Sequence, residues 1–123
     1  MRLDKLSKAT VAALEDIKGR DIVVLDVRKM TSLFDKIIIA TADSTRQAAA
    51  MARNVQEKLK AQGYRIGGVE GERAAEWILV DLGAVIVHIM QPTVRQHYNL
   101  EELWTPPRAS RRRKPALAVP ASS

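Results

Sequence analysis

The sequence predicts a single α/β domain with a mixed five-stranded sheet and helices mainly on one face. Three observations predict it. Apolar residues recur at helical spacing near residues 3–17 and again at 48–59. Short β-branched runs, DIVVLDV and KIIIAT, separate those two segments. The stretch Trp77–Met90 reads as a hairpin, with strands Trp77–Asp81 and Ala84–Met90 turning at Leu82-Gly83.

Element by element, Leu3, Leu6, Ala9, Ala13, Leu14 and Ile17 fall on one stripe of a first helix, closed by Lys18-Gly19. Asp21–Val27 is a strand, Arg28–Ser32 a turn, and Lys36–Thr41 a second, buried strand. Ser44 with Gln47 three residues on forms a capping box. It opens a helix to about Ala61 that buries Ala48, Met51, Ala52, Val55 and Leu59, with Gly63 after the stop. Tyr64–Val69 supplies a third strand, the hairpin two more, and Pro92–Tyr98 a short helix. Two long helices suit one face of such a sheet, which leaves the other open unless something covers it.

Strand alternation divides the hairpin in two. Ile78, Val80, Val85, Val87 and Ile89 are wholly aliphatic and face a core. Trp77, Leu79, Asp81, Ile86, His88 and Met90 form a mixed set, the kind a sheet offers to a partner. A hairpin loop of two or four residues sets Trp77 opposite His88 and Leu79 opposite Ile86; a three-residue loop would break that pairing. Trp77, His88 and Met90 then gather at one end of the face, with Asp81 at the other. Leu100, Leu103 and Trp104 are expected to dock on the domain as a clasp, against which Trp77 could pack. Arg95 and Tyr98 are divided between a surface role and a contact role.

Composition narrows the function. The chain has 123 residues and no cysteine, which removes disulfides, thiolate metal sites and cysteine nucleophiles. No apolar run approaches the ~20 residues of a membrane span, and the N-terminus resembles neither a signal nor a transit peptide, so a cytoplasmic protein is expected. The net charge is +6, but Arg108, Arg111, Arg112, Arg113 and Lys114 supply five of those charges with no acid after Glu102. Residues 1–107 are left at +1 once those five are taken from +6. The basicity belongs to residues 106–123, a Pro-, Ser- and Arg-rich tail expected to be disordered, following a domain at 1–105.

Catalytic groups are sparse. His88 and His97 are the only histidines and lack zinc spacing. Asp81 and His88 fit a hydrogen-bonded pair far better than a metal site. Gly67-Gly68 and Gly71 read as turn glycines, since Glu70 and Glu72 would repel a phosphate. Asp21 and Asp26, five residues apart, do not form the one-face carboxylate pair of a two-metal nucleotidyl-transfer site. No catalysis, metal or cofactor is expected.

The ordered residues Glu70-Gly71, Trp77, Asp81, Gly83, Val87-His88, Arg95, Tyr98, Leu100-Glu101 and Leu103-Trp104 resemble the ribosomal silencing factor family (RsfS, also called Iojap or YbeB). Upstream, Asp21-Ile22 to Asp26-Val27, Phe34-Asp35 and Ile39-Ala40-Thr41 to Ser44 and Arg46 are similar to the rest of its pattern. Departures are local: Lys36 replaces a common aromatic, Ala42-Asp43 a usual Gly-Thr, and Gln47 a frequent His. The resemblance implies a nucleotidyltransferase-like fold without the catalytic site. It implies binding to the large ribosomal subunit through ribosomal protein L-fourteen, steric block of small-subunit joining when nutrients are short, and frequent homodimers. On that reading Trp77 anchors the partner, Leu82, Met90 and Tyr98 surround it, and Asp81 and His88 give polar contacts. Arg111, Arg112, Arg113 and Lys114 could add a weak grip on ribosomal RNA. The second hypothesis is a nucleic-acid binder working through that tail, and the third an unusual nucleotidyltransferase whose metal-dependent turnover tracks Asp26 or Asp81.

Overall fold

In a computed structural model, residues 2–104 are described, with side chains from residue 4 onward. The elements run α1 (Arg2–Asp16), β1 (Arg20–Asp26), β2 (Lys36–Thr41), α2 (Thr45–Ala61), β3 (Gly68–Glu70), β4 (Trp77–Asp81), β5 (Val85–Met90), α3 (Pro92–Tyr98) and α4 (Leu100–Leu103). The five strands form one sheet in the order β1-β2-β5-β4-β3. Only the β2–β5 pair is parallel, so the sheet is mixed.

Both long helices end in the same backbone device, in which two N–H groups fold back onto the last free carbonyls. In α2, Gly63 N–H donates to Lys60 O and Tyr64 N–H to Leu59 O, and Gly63 takes the left-handed φ of 92° that the turn needs. In α1, Lys18 N–H donates to Glu15 O and Gly19 N–H to Leu14 O. Here Lys18, not Gly19, adopts the left-handed φ of 63°. Gly19 sits in close quarters instead: a Cβ there would lie 3.0 Å from the Leu14 carbonyl oxygen and 2.7 Å from Met51 Cε, the movable end of a flexible side chain.

Gln47 ties the two helices together. Ser44 Oγ accepts from Gln47 N–H, as the capping box predicts, but the Gln47 carbonyl oxygen accepts from Asp43 N–H, one residue earlier than expected. Its amide Nε2 then donates to the carbonyls of Ile17 and Lys18, at the free end of α1. Asn54 donates to Ala13 O nearby, so two polar side chains of α2 fix the position of α1.

The helices cover one sheet face. Leu6, Ala13 and Leu14 of α1 and Ala48, Met51, Ala52, Val55 and Leu59 of α2 pack on Ile38, Ala40, Ile78, Val80, Val87 and Ile89. The aliphatic half of the hairpin therefore faces the core as expected. The side chain of Leu3 lies outside the described residues.

Three details differ from the sequence reading. The third strand is only Gly68–Glu70, because Tyr64 and Ile66 are used to pack against the end of the core. A short helix, α4, follows α3 through Asn99, whose left-handed φ of 44° joins them. The hairpin turns at Gly83-Ala84, with Leu82 N–H donating to Val85 O, one residue later than expected. That one-residue move shifts the register by two: Trp77 lies opposite Met90 and Leu79 opposite His88. An even shift keeps every side chain on its face, so the division into two sets survives.

Gly71 is the tightest point of the loop into β4. Its φ is 86°, and a Cβ would stand 2.2 Å from the Trp77 carbonyl oxygen. Gly71→Ala should therefore lose about 2 kcal/mol of stability or more, from the left-handed backbone and the clash together. Urea denaturation checks this; a loss within error would mean that the loop relaxes freely.

Candidate functional site: a groove on the second sheet face

The second face begins as an apolar surface of Leu25 from β1, Ile37 and Ile39 from β2, and Met90 from β5. One end is covered by the chain's own C-terminal segment. Leu100 is buried there, and Val94, Trp77 and Trp104 pack around it. Trp104 meets Phe34 edge-on at 5.7 Å between ring centres. The expected clasp thus forms through Leu100 and Trp104, whereas Leu103 is exposed.

Arg95 pins that clasp. Its side chain is only 11% exposed, and its Nη1 donates to Asp21 O at 2.6 Å and Thr41 Oγ1 at 2.8 Å. Nε and Nη2 form a two-pronged pair with the Glu101 carboxylate. One guanidinium thus joins the start of β1, the end of β2, α3 and α4. Asp21 is held at a left-handed φ of 46° where the β1–β2 register slips, which leaves its carbonyl free for Arg95. Arg95 is a structural rivet, not a surface contact.

Trp77 and His88 form the seam between the clasp and the open part of the face. The Trp77 indole N–H donates to His88 Nδ1 at 2.9 Å, and its ring lies 4.9 Å from that of Tyr98. The indole can only donate, so Nδ1 must be the bare nitrogen and the His88 proton sits on Nε2. His88 is 8% exposed, and burial pushes its pKa from 6.5 down to about 4. The expected Asp81–His88 pair does not form: Asp81 Oδ1 accepts from Gly83 N–H at 2.8 Å and closes the hairpin turn.

The open part of the face is a groove of about 620 Å³. Leu79 and Ile86 form its floor with Ile37, His88 lies at its inner end, Leu33, Phe34 and Trp104 wall one side, and Asp81 sits near the turn. Leu33 is 81% exposed, which is unusual for a large apolar side chain in a short loop. Among the described residues, no cluster of three or more His, Asp or Glu is placed to hold a metal ion. No described helix is long and apolar enough to cross a membrane.

The expected contact residues divide accordingly. Asp81 is partly accessible and Tyr98 is 50% exposed. Trp77 is half-buried and committed to His88 and Tyr98. Met90 is fully buried, because Leu100 and Ile39 close over it, so it cannot meet a partner directly. Leu82 is also buried, on the helix side. Its parity with Ile78 and Val80 places it there, a signal already present in the alternation. Leu79 and Ile86 belong to the mixed set although they are not singled out as contacts, whereas Leu33 and Phe34 are missed; an apolar pair in the Ser32–Asp35 turn is the cue for those two. Arg111, Arg112, Arg113 and Lys114 lie outside the described residues.

A family model described as "Ribosomal silencing factor during starvation" matches residues 1–122. The chain belongs to the ribosomal silencing factor family. The ribosomal silencing factor RsfS of Chromobacterium violaceum is 49% identical over 122 residues, covering 99% of this chain and 95% of that protein. A crystal structure of a C. violaceum protein superposes with a TM-score of 0.83 at 53% identity, over 85% of this chain and 87% of the other. A crystal structure from Bacillus halodurans gives 0.75 at 34% identity, over 82% and 94%. Silencing-factor relatives thus share this mixed sheet, and the family's description is of a regulator, not a catalyst.

The low His88 pKa makes stability depend on pH in a defined direction. Between pH 6.5 and 4 the unfolded chain takes up a proton that the folded chain refuses, so the contribution is complete above pH 6.5 and declines as pH falls. From pH 7 to pH 5 the loss should be about 2 kcal/mol. His88→Phe, which keeps the bulk and removes the titration, should flatten that interval in urea denaturation. An unchanged slope in the variant would assign the pH dependence elsewhere.

Proposed function

We propose that this silencing-factor chain binds the large ribosomal subunit through ribosomal protein L-fourteen and sterically blocks joining of the small subunit, lowering translation when nutrients are limiting. Family membership carries the coarser part, a ribosome-associated translation-silencing role. The observation that supports the finer part is the groove: an apolar, partly exposed floor of Leu79 and Ile86, walled by Phe34 and Trp104, with Asp81 at one end. Such a surface suits a protein partner, because apolar side chains gain by leaving water and one polar group fixes orientation.

On this reading the contacting side chains are Leu33, Leu79, Ile86 and Asp81, with exposed Tyr98 at the flank. Trp77, His88 and Met90 act from below by holding the floor in shape. Leu82 supports the turn from the core side. The work is done by occupancy: a bound domain excludes the other subunit and needs no metal, cofactor or chemical step. The site of action is the cytoplasm, where ribosomal subunits meet. A homodimer would have to leave this groove free while bound.

Leu79→Glu places a charge on the groove floor while leaving the helix-side core untouched. It should fold, and its affinity for large subunits should fall by about 30-fold, corresponding to about 2 kcal/mol at an interface anchor. Added to separated subunits in a sucrose gradient, the parent chain should reduce joined ribosomes and the variant should not. A folded Leu79→Glu protein that sediments normally with large subunits would remove the groove from the interface.

A further inference from the structure

The chain itself carries a segment suited to the groove. Trp104 is one of its walls, and residues 105–123 continue directly from it. Beyond the cations at 111–114, the tail reads Pro115-Ala116-Leu117-Ala118-Val119-Pro120, its one run of four apolar residues. We propose that this C-terminal segment, Pro115 to Val119, docks in the second-face groove of its own chain and competes there with the partner.

Three features point to the tail. The first is reach. The 13 residues from Trp104 to Leu117 can span ~40 Å when extended, and a short tether holds a segment at roughly millimolar effective concentration. A weak fit is therefore enough. The second is charge. Among the described residues, Asp81 is the only charged one lining the groove, and no cation lines it. Arg111, Arg112, Arg113 and Lys114 enter just ahead of the apolar run.

The third is the unused donor. His88 carries its proton on Nε2, and no acceptor among the described residues meets that N–H, although the ring is buried and lines the groove. The Nε2 N–H is not sealed off in the core, so it meets the groove and can donate to an acceptor that arrives with the occupant. Every residue of the segment brings a carbonyl acceptor, and Pro115 brings one with no N–H of its own. Extended segments of this kind settle into aromatic-lined grooves, and here the aromatic walls are Phe34 and Trp104. Docking does not depend on the ribosomal assignment; the competition rests on it.

The absence of cysteine allows a direct test in the full-length chain. Under mild oxidation, Ile86→Cys combined with Leu117→Cys should form an intramolecular disulfide at least tenfold faster than Arg53→Cys with Leu117→Cys, where Arg53 is exposed on α2. Equal rates would overturn the docking. So would disulfide-linked dimers as the main product, which would give the groove to a second copy. Leu117→Asp alone should raise affinity for large subunits several-fold, and unchanged affinity would overturn the competition. Normal subunit binding by Leu79→Glu would separately take the groove out of the ribosomal interface, whatever the disulfide rates.

Discussion

The guanidinium of Arg95 determines what the second sheet face can be. Without it α3 and α4 have little to hold them, since α3 buries no side chain fully and α4 is a single turn whose buried residue is Leu100. With it, three elements converge on one planar group that is nearly excluded from water. Charge-assisted bonds to carboxylate and carbonyl are strong in that setting because removing one partner strands the others. Fixing the clasp buries Met90, positions Trp104 against Phe34, and turns an open sheet face into a bounded groove.

The two faces of the sheet therefore carry different physical tasks. The helix side is filled with branched aliphatics at close packing, and its stability comes from apolar area removed from water. The other side is graded. It is fully packed under the clasp, passes through the Trp77–His88 hydrogen bond, and ends in exposed Leu33 and half-covered Leu79 and Ile86. A buried neutral imidazole at that boundary keeps charge out of the groove, and its remaining N–H gives the groove one directional polar contact. Shape, apolar area and a single donor are the features on which the proposed docking rests.

Much of this was legible in the residues. The β-branched density of KIIIAT and the helical spacing from Ala48 to Leu59 placed β2 and the buried side of α2 correctly, because burial and propensity agreed there. The alternation in Trp77–Met90 sorted side chains onto faces even though the turn was placed one residue early, since a two-residue register slip preserves parity. What could not be read was long-range. Arg95 reaches Asp21 and Thr41, 74 and 54 residues away, through a left-handed backbone that local sequence does not announce. Met90 belongs to the mixed set by parity, yet the clasp buries it. Leu33 and Phe34 lie in a turn, where their contribution to a wall appears only once Trp104 is packed beside them.

The central claim is that the groove, and not the helical side, meets the ribosome. Hydroxyl-radical footprinting of the full-length chain, free and bound to purified large subunits, tests it side chain by side chain. The account predicts protection of Leu33, Leu79, Ile86 and Tyr98 on binding, with the outward residues of α1 and α2 unchanged. Protection confined to α1 and α2, with the groove as reactive as in the free protein, would contradict it.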